Sequence, residues 1–362
     1  MRHRCCLILS LIVGLMTSRG SSSGSGRKES FSPIRELGPS LAASVAGGTV
    51  VAARGENEIV VLFCSVTKPS DVESNLTAAE FSPRASHAND GGAYGHHRRG
   101  LTFVPSGPVH FPFLPNGSHN LRILHAPSGL VVAGTGFAPD VDHLLHVAAG
   151  CVLSRLAVFD APAPGSRASG RAVDPHRLVR EELSARLREA TMTDGGRPLG
   201  VQLLVVGSSA LSRGHTGGPC LELYTIDPSG GWRSCVGRGA AVGRGAGRAI
   251  ASFLQFGGHA CAEKDASSDT SQGWDTSQGW KGTLDEAIKA AINASEMKDE
   301  SNDAVTTSEC ARDRYGALVI FGGPEGAEGQ IGASKCALIS PDIVKERYDV
   351  CFQQVTSRKL TK

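Results

Sequence analysis

A chain of 362 residues with 40% hydrophobic content can bury a substantial core, so at least one globular domain is expected. The formal charge of +2 excludes a generally basic nucleic-acid binder and selects no partner. Glycine is abundant at 45 residues and aromatics are scarce at 5%, which predicts small, branched core side chains interrupted by flexible segments.

Arg2 and Arg4 precede an apolar stretch over 5–16, followed by Thr17, Ser18 and Gly20. Basic, then apolar, then small is the order of a secretory signal peptide, and the stretch is short for a transmembrane helix. Residues 18–30 are rich in serine and glycine, a linker composition, so 1–30 reads as a signal-like or flexible extension. Asn75-Leu76-Thr77, Asn116-Gly117-Ser118 and Asn293-Ala294-Ser295 would be glycosylation sequons in a secreted protein.

Residues 49–54 and 58–64 are β-rich runs joined by Gly55-Glu56-Asn57, a hairpin signal. From about 69 to 117 periodicity disappears, and Ser, Asn, Gly, His and Pro gather in what reads as an insertion. His96, His97, Arg98 and Arg99 inside it suggest metal or phosphate binding, but a solvated loop is the preferred reading. Strand character returns at 121–124 and 129–133, separated by Pro127-Ser128. The period then changes. Val141, Leu144, Leu145, Ala148, Val152 and Leu156 line one helical face. His143 and His146 stand three apart on that helix without a third ligand nearby, so they read as surface histidines rather than a metal pair.

A second helix opens with Asp174 as N-cap and Pro175 at its first position; Leu178, Val179, Leu183, Leu187 and Ala190 form its buried face, and Glu182 can pair with Arg186. Residues 201–206 are almost continuously apolar, as in a strand covered on both faces. Strand 221–226 leads through the turn 227–231 into strand 232–236, and a helix over 246–254 follows. The polar stretch 257–281 contains a tandem duplication, Asp269-Thr270-Ser271-Gln272-Gly273-Trp274 and then the same six residues over 275–280. Two copies make no solenoid, and the duplication reads as part of an unstructured loop. Helix 283–294 and strands 317–321 and 336–339 close the chain. The order predicts two antiparallel sheets packed face to face with helices outside each, an α/β (α+β) four-layer αββα sandwich. Ten cysteines are scattered without a CxxC pair, so they read as free thiols of the core, with no metal site or disulfide framework and no cofactor.

Several motifs occur in one order and spacing: Phe31-Ser32-Pro33, Gly47-Gly48-Thr49, Thr135-Gly136 followed by Asp140, Arg197-Pro198-Leu199-Gly200-Val201, Gly218-Pro219, Leu223-Tyr224, Asp227-Pro228-Ser229-Gly230 and Ala241-Val242-Gly243-Arg244-Gly245. Together they resemble the α-type subunits of the 20S proteasome core, whose fold is that of the N-terminal-nucleophile hydrolases. The resemblance covers about 31–68 and 118–258, with weaker agreement over 315–350. It implies one domain over 31–350, with insertions at about 69–117 and 259–281 and a C-terminal tail over 351–362. It also implies a non-catalytic structural subunit of the outer ring, partnered by other α and β subunits and by an activator or regulatory particle. Such a role, in ubiquitin-dependent protein degradation, belongs to the cytoplasm and nucleus and involves neither nucleic acid nor membrane; the signal-like start keeps a secreted, repurposed relative as the alternative.

The chain departs from the family in one region. Where the family has Gly-Arg-Leu-x-Gln-Val-Glu-Tyr-Ala, this chain has Ile34-Arg35-Glu36-Leu37-Gly38-Pro39-Ser40-Leu41-Ala42, and the Tyr-Asp-Arg cluster upstream of Phe31 is missing. Those segments serve the family's axial gate and ring contacts.

A second function class is the β-type threonine peptidase, with Thr49 after Gly48 as nucleophile and its own amine as base. That chemistry requires an aspartate sixteen positions and a lysine thirty-two positions further on, where Ser65 and Phe81 stand, so no catalytic residue is assigned. A third reading makes the Gly/Arg tract 237–248 a nucleotide or RNA site. It fits neither G-x-G-x-x-G nor a P-loop, and it lacks interleaved aromatics for stacking. Finally, the family captures activator tails with a lysine fourteen positions before the glycine that aligns with Gly136. Arg122 stands there, with an outward-facing surface group as the competing reading.

Overall fold

Apolar residues, valine foremost, dominate the first two strands, β1 (Thr49–Arg54) and β2 (Ile59–Ser65), which pair as the expected antiparallel hairpin. The computed structural model describes residues 33–55, 59–65, 100–104, 108–110, 120–159, 174–193, 196–213, 219–256, 279–295, 315–322 and 334–360. Strands β3 (Leu101–Phe103), β4 (Pro108–His110), β5 (Leu121–His125), β6 (Leu130–Gly136), β7 (Val201–Arg213), β8 (Pro219–Ile226), β9 (Trp232–Ser234), β10 (Gly239–Gly243), β11 (Tyr315–Phe321) and β12 (Lys335–Ile339) follow. They form two antiparallel six-stranded sheets, ordered β10-β1-β2-β11-β12-β3 and β4-β5-β6-β7-β8-β9.

The helices are α1 (Pro33–Ala46), α2 (Ala138–Phe159), α4 (Ala246–Phe256), α5 (Gly279–Ser295) and α6 (Pro341–Leu360), with α3 a continuous rod of Pro175–Arg177, a π-helical stretch Leu178–Leu183 and Ser184–Met192. The chain is thus mixed α/β. Strand parity sorts its side chains into three hydrophobic clusters. Val50, Val60 and Leu62 of the first sheet meet Leu121, Ile123, Val131, Leu204 and Val206 of the second. The alternate residues Val51, Val61, Phe63 and Val319 pack with α4, α5 and α6. Leu130, Val132, Leu203 and Val205 pack with α2 and α3. Both faces of β7 are therefore buried, which explains its unbroken apolar run.

The face read for α2 is the buried one, and Asp174 caps α3 by accepting the His176 N–H at 3.1 Å. Other details differ from the sequence reading. Two three-residue strands, β3 and β4, fall inside the stretch 69–117 and join one sheet each. Three residues are too few to show a period. Residues 351–360, read as a tail, continue α6 and place Cys351 and Val355 in the core. Glu182 does not pair with Arg186. It accepts from Arg155 at 2.9 Å across to α2, while Arg186 donates to Glu189 at 3.3 Å. The wider π-helical turn removes the i,i+4 geometry on which that pairing rests. Phe31, Ser32, the signal-like stretch, Asn75, Phe81, the His/Arg run at 96–99, Asn116, Gly218 and the duplicated hexapeptide up to Gln278 lie outside the described residues. Gly279 and Trp280, read as the end of an unstructured insertion, instead open α5, because the indole is buried. Asn293, in contrast, sits in α5 with its amide donating to Ser252 Oγ at 2.8 Å, a packed position unlike the surface loop that an N-glycan needs.

Candidate functional site

Most of the described motif residues converge on one hydrogen-bonded knot, where the ends of β1, β6, β7 and β10 meet beneath α1. Thr135 Oγ1 donates to the Gly48 carbonyl at 2.6 Å, and the Arg244 N–H reaches the same oxygen at 3.3 Å. Thr49, 7% exposed, donates its hydroxyl to the Arg244 carbonyl at 2.7 Å. Gln202 is the one polar residue of the run 201–206; its Oε1 accepts the Gly243 N–H at 2.9 Å, and its Nε2 donates to Ser44 Oγ at 3.1 Å. Ser40 Oγ donates to the Pro198 carbonyl at 2.8 Å, so α1 is held to the knot through hydroxyls.

Asp140, in the first turn of α2 and 3% exposed, gathers the Arg-Pro-Leu-Gly motif. It accepts both terminal nitrogens of Arg197 at 2.8 and 2.6 Å, and the Gly200 N–H at 2.9 Å. Hydrogen bonding to Asp140 holds the Arg197 guanidinium above its ordinary value, and the same guanidinium lies 5.4 Å from the Phe137 ring centroid. Because Arg197 is largely solvated while the Gly200 N–H is buried, the two halves of this clamp differ in weight. Asp140→Ala is expected to cost about 2–4 kcal/mol, mostly from the orphaned N–H, and Arg197→Ala at most about 1 kcal/mol. Urea unfolding of both variants checks this; equal losses would put the strength in the ion pair instead.

The glycines of the knot are sites of close approach. A Cβ on Gly243 (φ 90°) would meet the Gly48 carbonyl oxygen, and one on Gly245 (φ 67°) the main chain of Ala294. Asp227-Pro228-Ser229-Gly230 lies elsewhere, as the turn between β8 and β9. Asp227 Oδ1 accepts from the Ser229 and Gly231 N–H groups at 2.9 and 3.0 Å, and the Gly230 carbonyl accepts the Ser184 hydroxyl of α3. Pro228 offers its carbonyl to Thr191 at 3.3 Å, so this motif docks a turn on a helix. Pro33 is the first residue of α1, and Ser65 the last of β2.

Arg122 and Gly136 are not brought together. Arg122 on β5 pairs with Val132 of β6, four residues from Gly136 at the end of that strand. The Arg122 side chain is buried, not outward-facing; it donates to Asp142 Oδ1 at 3.0 Å and to the Leu121 carbonyl at 3.1 Å. Burial pulls its guanidinium below the ordinary value, and the Asp142 charge partly offsets this. His143 and His146 are exposed on α2, with His146 3.3 Å from Asp142. Among the described residues no group of three His, Cys, Asp or Glu side chains is placed to hold a metal, and no helix is long and apolar enough to cross a membrane.

Sequence reasoning missed Ser40, Ser44 and Gln202. A lone glutamine inside an apolar strand was the available signal. No protein-family model matches the chain, and no curated protein matches it.

Proposed function

We propose that this chain is a non-catalytic α-type subunit of a 20S proteasome-like core, a four-layer αββα sandwich of the N-terminal-nucleophile hydrolase kind. One observation carries the reading. Gly48-Thr49, Thr135-Gly136, Asp140, Arg197-Pro198-Leu199-Gly200 and Gly243-Arg244-Gly245, dispersed along the sequence, interlock at one end of the two sheets. A chance run of family-like words has no reason to assemble. The three hydrophobic clusters support the layered reading.

In this role the subunit sits in the outer ring with other α and β subunits, supports admission of substrates and receives an activator, in cytoplasm and nucleus. Thr49 serves as a strand-end anchor, with its hydroxyl donated to the Arg244 carbonyl. Threonine-directed covalent inhibitors are accordingly expected to leave Thr49 unlabelled, as read by peptide mass mapping. The activator pocket is the finer part of the proposal. Arg122 would exchange Asp142 for the tail carboxylate, which its fork binds through two parallel hydrogen bonds. Arg122→Ala is expected to weaken an activator tail peptide about tenfold or more, roughly 1.4 kcal/mol, in assembled particles. Unchanged affinity would remove Arg122 from the pocket. The decisive experiment is to tag the protein and ask whether it co-purifies with a particle containing peptidase subunits. Recovery as a lone chain under conditions that preserve such particles would sink the assignment.

A further inference from the structure

The edge strands of the two sheets, β9 and β10, are joined by Cys235 to Arg238, and this junction borders a groove that the proposed function does not use. The Cys235 N–H still bonds the Leu223 carbonyl of β8 at 2.8 Å, while the Arg238 carbonyl accepts the Arg54 N–H of β1 at 2.6 Å. Val236 and Gly237 therefore step from one sheet to the other. In an antiparallel ladder, residues alternate between those that exchange hydrogen bonds with the neighbour and those that face away. Arg238, opposite Arg54, faces β1, and so does Arg244, whose N–H reaches Gly48. By parity Gly239 turns its N–H and C=O groups to the open edge, and Gly237 lies in the bend just before the strand. Both glycines line a groove of about 660 Å³, whose other walls include Ala240, Ile250, Phe253 and Leu254.

Three further features give the groove a chemistry. Val236 and Leu254, 87% and 78% exposed, are the most exposed large hydrophobic side chains among the described residues, and both stand beside it. Arg233, held to Thr225 by Nε at 3.2 Å, and Arg238 border it, and Arg54 lines the adjoining hollow. Against these cations the lining carries, among the described residues, one carboxylate, Glu286, 3.5 Å from Arg238. A sheet edge with no partner strand among the described residues, flanked by apolar side chains and a surplus of arginines, matches an extended strand bearing alternate acidic and apolar side chains.

We propose that this groove receives an extended acidic segment of another protein by strand addition at Gly239, with its carboxylates beside Arg233 and Arg238. The site lies apart from the motif knot and holds whether or not the chain enters a ring. Main-chain pairing supplies the register, and the arginines select the charge.

The test uses the full-length protein and a fluorescein-labelled peptide of alternating valine and glutamate, read by fluorescence anisotropy. Saturable binding is expected, with a loss of about tenfold or more in Arg233→Glu and in Leu254→Asp, both surface changes checked for an unaltered circular dichroism spectrum. A peptide of identical side chains, methylated on alternate main-chain nitrogens, is expected to lose a similar factor, and a valine–lysine peptide to fail at the same concentrations. No saturable binding, or equal binding of the methylated peptide, overturns strand addition. Self-association of the protein that Leu254→Asp abolishes would assign the groove to a second copy and overturn the proposal as well.

Discussion

Replacing Gly136 by alanine is expected to be among the most damaging single changes in this protein, at about 4 kcal/mol. Two costs combine. Gly136 has φ 128°, a region that costs a residue with a Cβ about 1–3 kcal/mol. Its added Cβ would also fall on the carbonyl oxygen of Gly200 and come within 3.0 Å of Val201 Cα, an obstruction by main chain that adds about 1–3 kcal/mol. Relief would require β6 and β7 to part where Gly136 pairs with Val201, next to the Asp140 clamp. Gly200→Ala is the informative comparison. There the new methyl meets the Ala43 side chain of α1 at 2.8 Å, and a small shift of that helix relieves it. Its cost should stay near 1–2 kcal/mol. Urea midpoints of the two variants, measured beside wild type, decide the matter; equal losses would show that the knot tolerates displacement of the sheet as easily as displacement of α1.

The sequence made the regular parts of the fold readable through burial alone. Val141, Leu144, Leu145, Ala148, Val152 and Leu156 are apolar because all six sit against the second sheet, so helical periodicity and burial coincide. The hairpin of β1 and β2 was legible for the same reason. Helix α1 was not, because it presents Ser40 and Ser44 inward to hydrogen-bonding partners and carries Pro39 within its span, so no apolar face announces it. In α6 the signal was present but diluted: Val344, Tyr348, Cys351 and Val355 keep a helical spacing among mostly polar neighbours. The site divides similarly. Its glycines and threonines could be picked out by resemblance, but the pairing of Asp140 with Arg197 and Gly200 joins residues about sixty positions apart, which spacing cannot reveal. Gln202 could have been found by a bottom-up rule, since a buried polar side chain in an apolar strand must find partners.

The tandem hexapeptide gives the second large effect, and its two identical copies should behave differently. Trp280 ends the second copy, opens α5 and is 2% exposed in the cluster that joins the first sheet to α4, α5 and α6. Trp280→Ala is expected to cost about 3–5 kcal/mol through lost burial and the cavity left behind. Trp274 cannot replace it by a shift of register. Counting three, four, seven and eight positions on from Trp280 reaches Thr283, Leu284, Ala287 and Ile288, all buried, whereas the same count from Trp274 reaches Ser277, Gln278, Lys281 and Gly282. A helix seated on Trp274 would bury polar groups and a charge, at a cost beyond what the indole returns. Cysteine alkylation can localise the damage. Cys351 on α6 lies 3.8 Å from the Asp285 carbonyl of α5, and burial, assisted by Asp285, pushes its thiol up to about 12. Burial alone does the same, to about 12, for Cys64, which sits in the cluster shared by the two sheets. Both thiols should therefore alkylate slowly at neutral pH in the wild type, since the thiolate is the reacting species. In Trp280→Ala, Cys351 should react well before Cys64 under native conditions, because α5 and α6 lose their packing while the cluster between the sheets persists. Simultaneous reaction of the two would mean that Trp280 secures the whole fold, and a comparable loss from Trp274→Ala would show that both copies of the repeat contribute to the core.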